Sequence, residues 1–84
     1  MPTVLRVDGL RFIIWPDDHL PPHVHAYSAD GSAKIAIGTA TARPHLITVS
    51  QLPRKQTADA LRAVEANQAV LLEAWESIHE RLDH

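Results

Sequence analysis

Three of the six histidines lie in one short segment, Asp18-His19-Leu20-Pro21-Pro22-His23-Val24-His25. Histidine gains or loses a proton near neutral pH more readily than other side chains, so a local group of histidines is a candidate site for proton transfer or metal binding. His23 and His25 are two residues apart, a spacing that points both side chains to the same side of a β-strand. This segment is the main candidate for chemistry in the chain.

Proton transfer at a phosphodiester is one function that the segment could support. A histidine would move protons without a metal, while Lys34, or Arg6 together with Arg11, stabilises the developing negative charge. Tyr27 would position the substrate. On this interpretation the protein needs no cofactor, and the catalytic residues are His23, His25, Tyr27 and Lys34.

Metal binding and a structural role are the two alternatives. His23 and His25 could hold a divalent metal together with His19, or with the carboxylate of Asp17 or Asp18, because imidazole and carboxylate groups are common metal ligands. No metal is favoured, and if one is bound the expected ligands are His19, His23 and His25. In the third interpretation the histidines hydrogen-bond the backbone of the proline-containing loop or form an interface with a partner.

Further side chains are candidates for contacting a phosphate-bearing substrate. Arg6 and Arg11 are expected to face each other across a strand pair, and like charges in that position favour an anion beside them. Arg54 and Lys55 begin a predicted helix, where cations gain nothing from the helix dipole. Ordinary solvation also accounts for both pairs. The predicted substrate contacts are His19, Arg6, Arg11, Arg54 and Lys55.

Composition limits the class of protein. The 84 residues are expected to form one domain, residues 1–84, with a β-rich half over 1–50 and a helical half over 53–84. The absence of cysteine excludes disulfides, a thiol nucleophile and cysteine-based zinc sites. No segment reads as a signal peptide or a membrane span, so a soluble cytoplasmic protein without membrane contact is expected.

The net charge of −2 is unevenly distributed. Residues 1–56 carry six Lys and Arg against four Asp, whereas residues 57–84 carry two Arg against six acidic residues. An anionic ligand should therefore meet the first part of the chain.

The strand pattern predicts a first β-hairpin. The runs Thr3–Val7 and Leu10–Trp15 are separated by Asp8-Gly9, a pair that favours a two-residue hairpin turn. In that register Arg6 lies directly opposite Arg11.

A second predicted hairpin carries the histidines. It pairs residues 23–28 with residues 32–37 around Asp30-Gly31, or around a longer loop that starts at Ala29. The two-residue turn places His25 opposite Ala36 and Tyr27 opposite Lys34. Four side chains then share one face of the sheet: His23, His25, Tyr27 and Lys34.

The remaining pattern predicts a short fifth strand over residues 45–49 and two helices, over residues 54–65 and 70–82, with Asn67 between them. The predicted fold class is therefore α+β. It consists of an antiparallel sheet of four to five strands, built from two hairpins, followed by two C-terminal helices.

Four stretches of the chain resemble one known family, and they span almost its whole length. They are Met1-Pro2-Thr3-Val4, the histidine segment from Asp18 to His25, Leu52-Pro53-Arg54-Lys55-Gln56, and Leu71-Leu72-Glu73-Ala74-Trp75-Glu76. They resemble the small prokaryotic domain-of-unknown-function family 4160. Val24 departs from that pattern, because a bulkier aromatic residue commonly stands between the two histidines.

The resemblance implies a role in a two-gene module of the toxin–antitoxin type. The expected partner is a cognate small protein similar to domain-of-unknown-function family 2442, and self-association is left open. The family pattern points to His19, Pro21, Pro22, His23 and His25, and secondarily to Arg54, Lys55 and Trp75. Together with the residues, it suggests a toxin-like ribonuclease acting through the histidines. The alternative is a non-catalytic, partner-binding or antitoxin-like regulator, with or without metal at His23 and His25.

Overall fold

The computed structural model describes residues 3–80, which form a five-stranded antiparallel sheet followed by two helices. The strands lie in the sheet in chain order, and each pairs with the next. The α+β class is confirmed. The elements are β1 (Thr3–Val7), β2 (Leu10–Ile13), β3 (His23–Tyr27), β4 (Ser32–Ala36), β5 (His45–Ser50), α1 (Arg54–Ala66) and α2 (Gln68–Glu80).

The turn between β1 and β2 is the two-residue turn that the sequence predicts. Asp8 has a φ of 53° and Gly9 a φ of 77°, and two successive positive φ angles define the turn whose twist matches a β-hairpin. The predicted register follows, with Arg6 directly opposite Arg11.

The register predicted for the second hairpin is wrong by two residues. His25 lies opposite Lys34 rather than Ala36, and Tyr27 lies opposite Ser32 rather than Lys34. The connection is longer than the predicted two-residue turn. It consists of residues 28–31, and the Ser28 N–H donates to the carbonyl of Gly31 across 3.0 Å. A shift of two residues keeps each side chain on its predicted face.

Contacts with later parts of the chain hold this longer loop in place. The Ser28 hydroxyl donates to the Gln56 side chain across 2.7 Å, and the Gln56 amide donates to the Asp30 carboxylate across 3.1 Å. A Cβ atom on Gly31 would collide with the backbone of residues 50–52. Glycine at position 31 therefore allows the loop to pack closely against the end of β5 and the residues that follow it.

The two faces of the sheet differ in what covers them. One face is apolar and packs against α1 and α2, forming a core with the buried residues Leu10, Phe12, Ile14, Val24, Ala26, Ala33, Ile35, Ile37, Leu52, Ala60, Ala63, Val64, Leu71 and Trp75. We call the opposite face the histidine face; it carries Arg11, Ile13, His23, His25, Tyr27 and Lys34. The connection between β2 and β3, residues 14–22, folds back over part of it, because Asp18 lies 3.5 Å from both His23 and His25.

α1 begins and ends, and α2 begins, within two residues of the predicted positions. Asn67 separates them, and its N–H still donates to the carbonyls of Ala63 and Val64. Gln68 at the start of α2 donates to the carbonyls of Ile37, Thr39 and Ala42, which ties this helix to the loop after β4. The predicted end of the last helix at residue 82 lies outside the described residues. Within residues 3–80, no helix is long and apolar enough to cross a membrane.

Candidate histidine and carboxylate site

A tight turn at residues 15–18 fixes the carboxylate of Asp18. The Asp18 N–H donates to the Trp15 carbonyl, and the Trp15 N–H donates to Asp18 Oδ2, each across 3.1 Å. Pro16 suits the second position of such a turn because its ring presets φ. The carboxylate is thereby held over the histidine face, with 15% of its side chain exposed.

His23 begins β3 and is almost completely buried. Its Nδ1–H donates to the carbonyl of Pro21 across 2.8 Å, two residues earlier in the chain. A carbonyl oxygen only accepts, so the proton lies on Nδ1 and the neutral ring presents a lone pair at Nε2. That nitrogen lies 3.5 Å from Asp18 Oδ2.

His25 presents its own Nε2 to the same carboxylate oxygen, also at 3.5 Å. This distance is too long for a good hydrogen bond. The Nε2 atom is buried and has no hydrogen-bond partner among residues 3–80. Burial lowers the pKa of His25 below its ordinary value, nearby His23 and Lys34 lower it further, and Asp18 opposes the shift. Burial thus favours the neutral form of His25, whose Nε2 lacks a hydrogen-bond partner among these residues.

The end of α2 supports the site from the side. The Trp75 ring lies 5.3 Å from the His23 ring and is stacked on His79 at 3.8 Å, both measured between centroids. His79 Nε2 lies 3.0 Å from the Asp18 carbonyl oxygen, and its Nδ1 lies 2.9 Å from that of Trp75. These contacts join the last helix to the turn that carries the carboxylate.

Cationic and aromatic side chains continue from the histidines along the same face. Lys34 lies opposite His25 on β4, and the Tyr27 ring is stacked on His25 at 6.3 Å. The Arg11 guanidinium lies 5.9 Å from the centre of the Tyr27 ring. Arg11 Nε is buried and lacks a hydrogen-bond partner among the described residues. His23, His25, Tyr27 and Lys34 therefore share one face, as predicted.

A recess of about 460 Å³ opens beside these residues. It is lined by residues 17–21 of the connection together with His23, Lys34, His45 and Ile47. His19 is exposed at this recess and is not among the side chains that converge on one point. Asp18 takes the place that the sequence prediction gave to His19 as the third ligand-type residue.

The predicted phosphate-contacting cations fall into two separate places. Arg6 lies beside Arg11 on the histidine face. Arg54 and Lys55 begin α1, next to the loop after β3, because Gln56 contacts Ser28 and Asp30 in that loop. His23 lies at the other end of β3, so the structure does not bring Arg54 and Lys55 to the histidines.

Two residues, Asp18 and His79, make contacts at the site that the sequence did not predict. Asp18 is named from the sequence only as one alternative metal ligand, yet both histidines point to it. His79 lies one helical turn after Trp75, a spacing that allows the two rings to stack. No local pattern shows that His79 contacts Asp18.

The fold and these side chains define a small α+β domain with a histidine and carboxylate cluster at one end of an antiparallel sheet. Residues 9–76 match the family model described as Domain of unknown function (DUF4160). Because the match covers most of the chain, the protein belongs to this family, as its sequence motifs suggest. No curated protein and no solved structure matches the chain.

Proposed function

We propose that this protein cleaves RNA at the histidine face, as the toxin-like component of a two-gene module. One observation carries the proposal: His25, whose Nε2 has no hydrogen-bond partner among residues 3–80, lies opposite the cation Lys34 on the histidine face. A proton acceptor next to fixed positive charge is what cleavage of a phosphodiester requires.

The proposed reaction uses the 2′-hydroxyl of the RNA as nucleophile. His25 Nε2 takes the proton from that hydroxyl, the 2′-oxygen attacks phosphorus, and the bond to the 5′-oxygen breaks. The leaving oxygen takes a proton from water, and the imidazolium returns its proton to solvent. The products are a 2′,3′-cyclic phosphate and a 5′-hydroxyl, and Lys34 stabilises the charge on the phosphate during attack.

The neighbouring residues have positioning roles in this proposal. The His23 ring packs edge-on against His25, the Tyr27 ring stacks on His25, and the Arg11 guanidinium lies 5.9 Å from the centre of the Tyr27 ring. The Arg11 guanidinium, with Arg6 opposite, would bind a second phosphate of the same strand. Contacts of this kind position a nucleic acid without reading its sequence.

RNA cleavage by the purified chain in EDTA tests the proposal. We expect cleavage of an RNA oligonucleotide, cyclic phosphate ends, and no cleavage of the same sequence made with 2′-deoxyribose. His25→Gln should lower the rate by about 100-fold or more, the usual contribution of a general base. Lys34→Gln should lower it as well, whereas Arg62→Gln, which removes an exposed cation from α1, should leave it unchanged.

Two results would contradict the proposal. Undiminished cleavage by folded His25→Gln would remove His25 as the proton acceptor. Cleavage of the deoxy substrate would exclude the 2′-hydroxyl as nucleophile. Circular dichroism of each variant establishes that the fold is retained.

A second candidate is a non-catalytic, partner-binding or regulatory role. The favouring observation is strand β5, the outer strand next to β4, which exposes Leu46, Ile47 and Val49. Such a strand offers unpaired backbone groups and apolar side chains to a cognate small protein. Growth arrest by the wild type but not by His25→Gln, relieved by the partner, favours the toxin-like role. Partner binding without arrest or RNA cleavage favours the regulator.

A further inference from the structure

We propose that Asp18, His23 and His25 form a binding site for one divalent transition-metal ion, with Zn²⁺ as its representative. The three donor atoms all lie within 4.8 Å of one another. The carboxylate oxygen is 3.5 Å from each histidine Nε2. Two ligands of a tetrahedral zinc ion are about 3.3 Å apart, given metal–ligand bonds of about 2.0–2.1 Å. The two distances from the carboxylate already match this spacing, and the two histidine nitrogens would move towards each other as the ion binds.

The hydrogen bonding of the cluster leaves a place that a cation fills. His23 uses its Nδ1–H on the Pro21 carbonyl, so its Nε2 offers a lone pair toward Asp18. His25 Nε2 is buried without a hydrogen-bond partner among residues 3–80 and points to the same oxygen. When the His25 proton is on Nδ1, three electron-pair donors thus converge with no donor hydrogen between them. A metal ion satisfies all three.

The hydrogen bonds that orient His23 and Asp18 are those expected of a preorganised metal site. A histidine ligand commonly donates its other ring N–H to a backbone carbonyl, which fixes the tautomer, and His23 does this through Pro21. The Trp15 N–H holds the Asp18 carboxylate in the same way. Among the residues described, no other group of three histidine, cysteine or acidic side chains converges like this one.

Three protein ligands leave at least one position on the ion open. Metal centres that act on substrates keep such a position, whereas purely structural zinc sites fill all four with protein. Here Asp18, His23 and Lys34 all line the recess beside the site. The open position would accept water or an anionic ligand such as a phosphate oxygen, with the Lys34 ammonium close by.

The inference goes beyond the proposed function, which uses no metal. An ion on His25 Nε2 occupies the lone pair that would take a proton from RNA. Bound Zn²⁺ is therefore expected to inhibit cleavage that depends on His25 as the base. Because ion binding is measured without RNA, failure of one proposal is distinguishable from failure of the other.

Isothermal titration of the tag-free chain with Zn²⁺, after treatment with EDTA and its removal, tests the site. We expect one ion per chain. Asp18→Asn and His25→Gln should each weaken binding at least about tenfold, since even groups that only orient ligands contribute that much. His45→Gln is the matched control, because this exposed histidine lies near the recess but outside the cluster, and it should bind Zn²⁺ as the wild type does.

Several results would overturn the metal site. They are the absence of stoichiometric binding, an equal loss in His45→Gln and His25→Gln, and unchanged affinity in both cluster variants. Absorption of bound Co²⁺ gives a second measurement, because its visible bands should appear with the wild type and disappear with His25→Gln. Asp18→Asn keeps an oxygen that accepts from the Trp15 N–H, and His25→Gln gives an independent test if the first variant does not fold.

Discussion

The two faces of the sheet differ in the kind of side-chain atom that they bury. On the helix-covered face, Phe12, Val24 and Ile35 are completely buried, and their side chains have no polar atoms that require hydrogen bonds. On the histidine face, Arg11 and His25 keep buried nitrogens without partners among residues 3–80. Buried polar atoms without partners are costly, so a protein retains them mainly where a ligand or reaction uses them. One face therefore forms the core, and the other is where both proposals place a ligand or a reaction.

The largest expected difference between the faces is in stability, when one aromatic side chain is removed from either face in separate variants. Phe12→Ala should lower the free energy of unfolding by about 3–5 kcal/mol, because it leaves a cavity in a small core. Tyr27→Ala should cost only about 1 kcal/mol, because its ring is half-buried and contacts His25 and Arg11 rather than the apolar core. Urea denaturation of both variants measures the difference. Equal losses would show that the histidine face is as important for stability as the core.

A smaller effect is expected within the histidine face itself. His23→Ala should lower the free energy of unfolding by about 2 kcal/mol, because the buried ring and its bond to Pro21 are lost. His25→Gln should change it by less than about 0.5 kcal/mol, as is usual for partly exposed positions. Thermal and urea unfolding in EDTA compare the two variants. A larger loss from His25→Gln than from His23→Ala would reverse the assigned roles.

The smallest effect concerns pH. The pKa of His25 is lower in the folded protein than its ordinary value of 6.5, so below that value the unfolded chain binds the additional proton first. Stability therefore falls as the pH falls from 6.5 towards the folded pKa, and it recovers as the pH rises. Urea midpoints of the wild type in EDTA should fall more between neutral and mildly acidic pH than those of His25→Gln. His45→Gln should retain the wild-type slope, and a wild-type slope in His25→Gln would exclude His25 as the cause.

The hairpins show which parts of this arrangement the sequence determines locally. Asp8 and Gly9 adopt positive φ angles by themselves, so the register of β1 and β2 was predictable from two residues. The register of β3 and β4 depends on Gly31 packing against residues 50–52 and on Gln56, which are distant in the chain. A register shift of two residues does not change the face of the sheet on which a side chain lies. The shared face of the histidines was therefore still predicted correctly.

The candidate site was predictable only in part for the same reason. The spacing of His23 and His25 placed both on one face. The position of Asp18 depends on residues 14–22 folding back over the sheet, and the role of His79 depends on where α2 ends. No periodicity in the sequence encodes either contact. Arg54 and Lys55 were misplaced because a helix start seen in sequence does not reveal which end of the sheet it meets.

The contact between His79 and Asp18 also affects the order in which the protein assembles. Every strand pairs with its neighbour in the chain, so the sheet forms by closing short loops, a topology that folds quickly. The His79 contact instead spans 61 residues. A chain still being synthesised can complete its sheet while the turn that carries Asp18 lacks its support from α2. In both proposals, the site is complete only after α2 has docked against this turn.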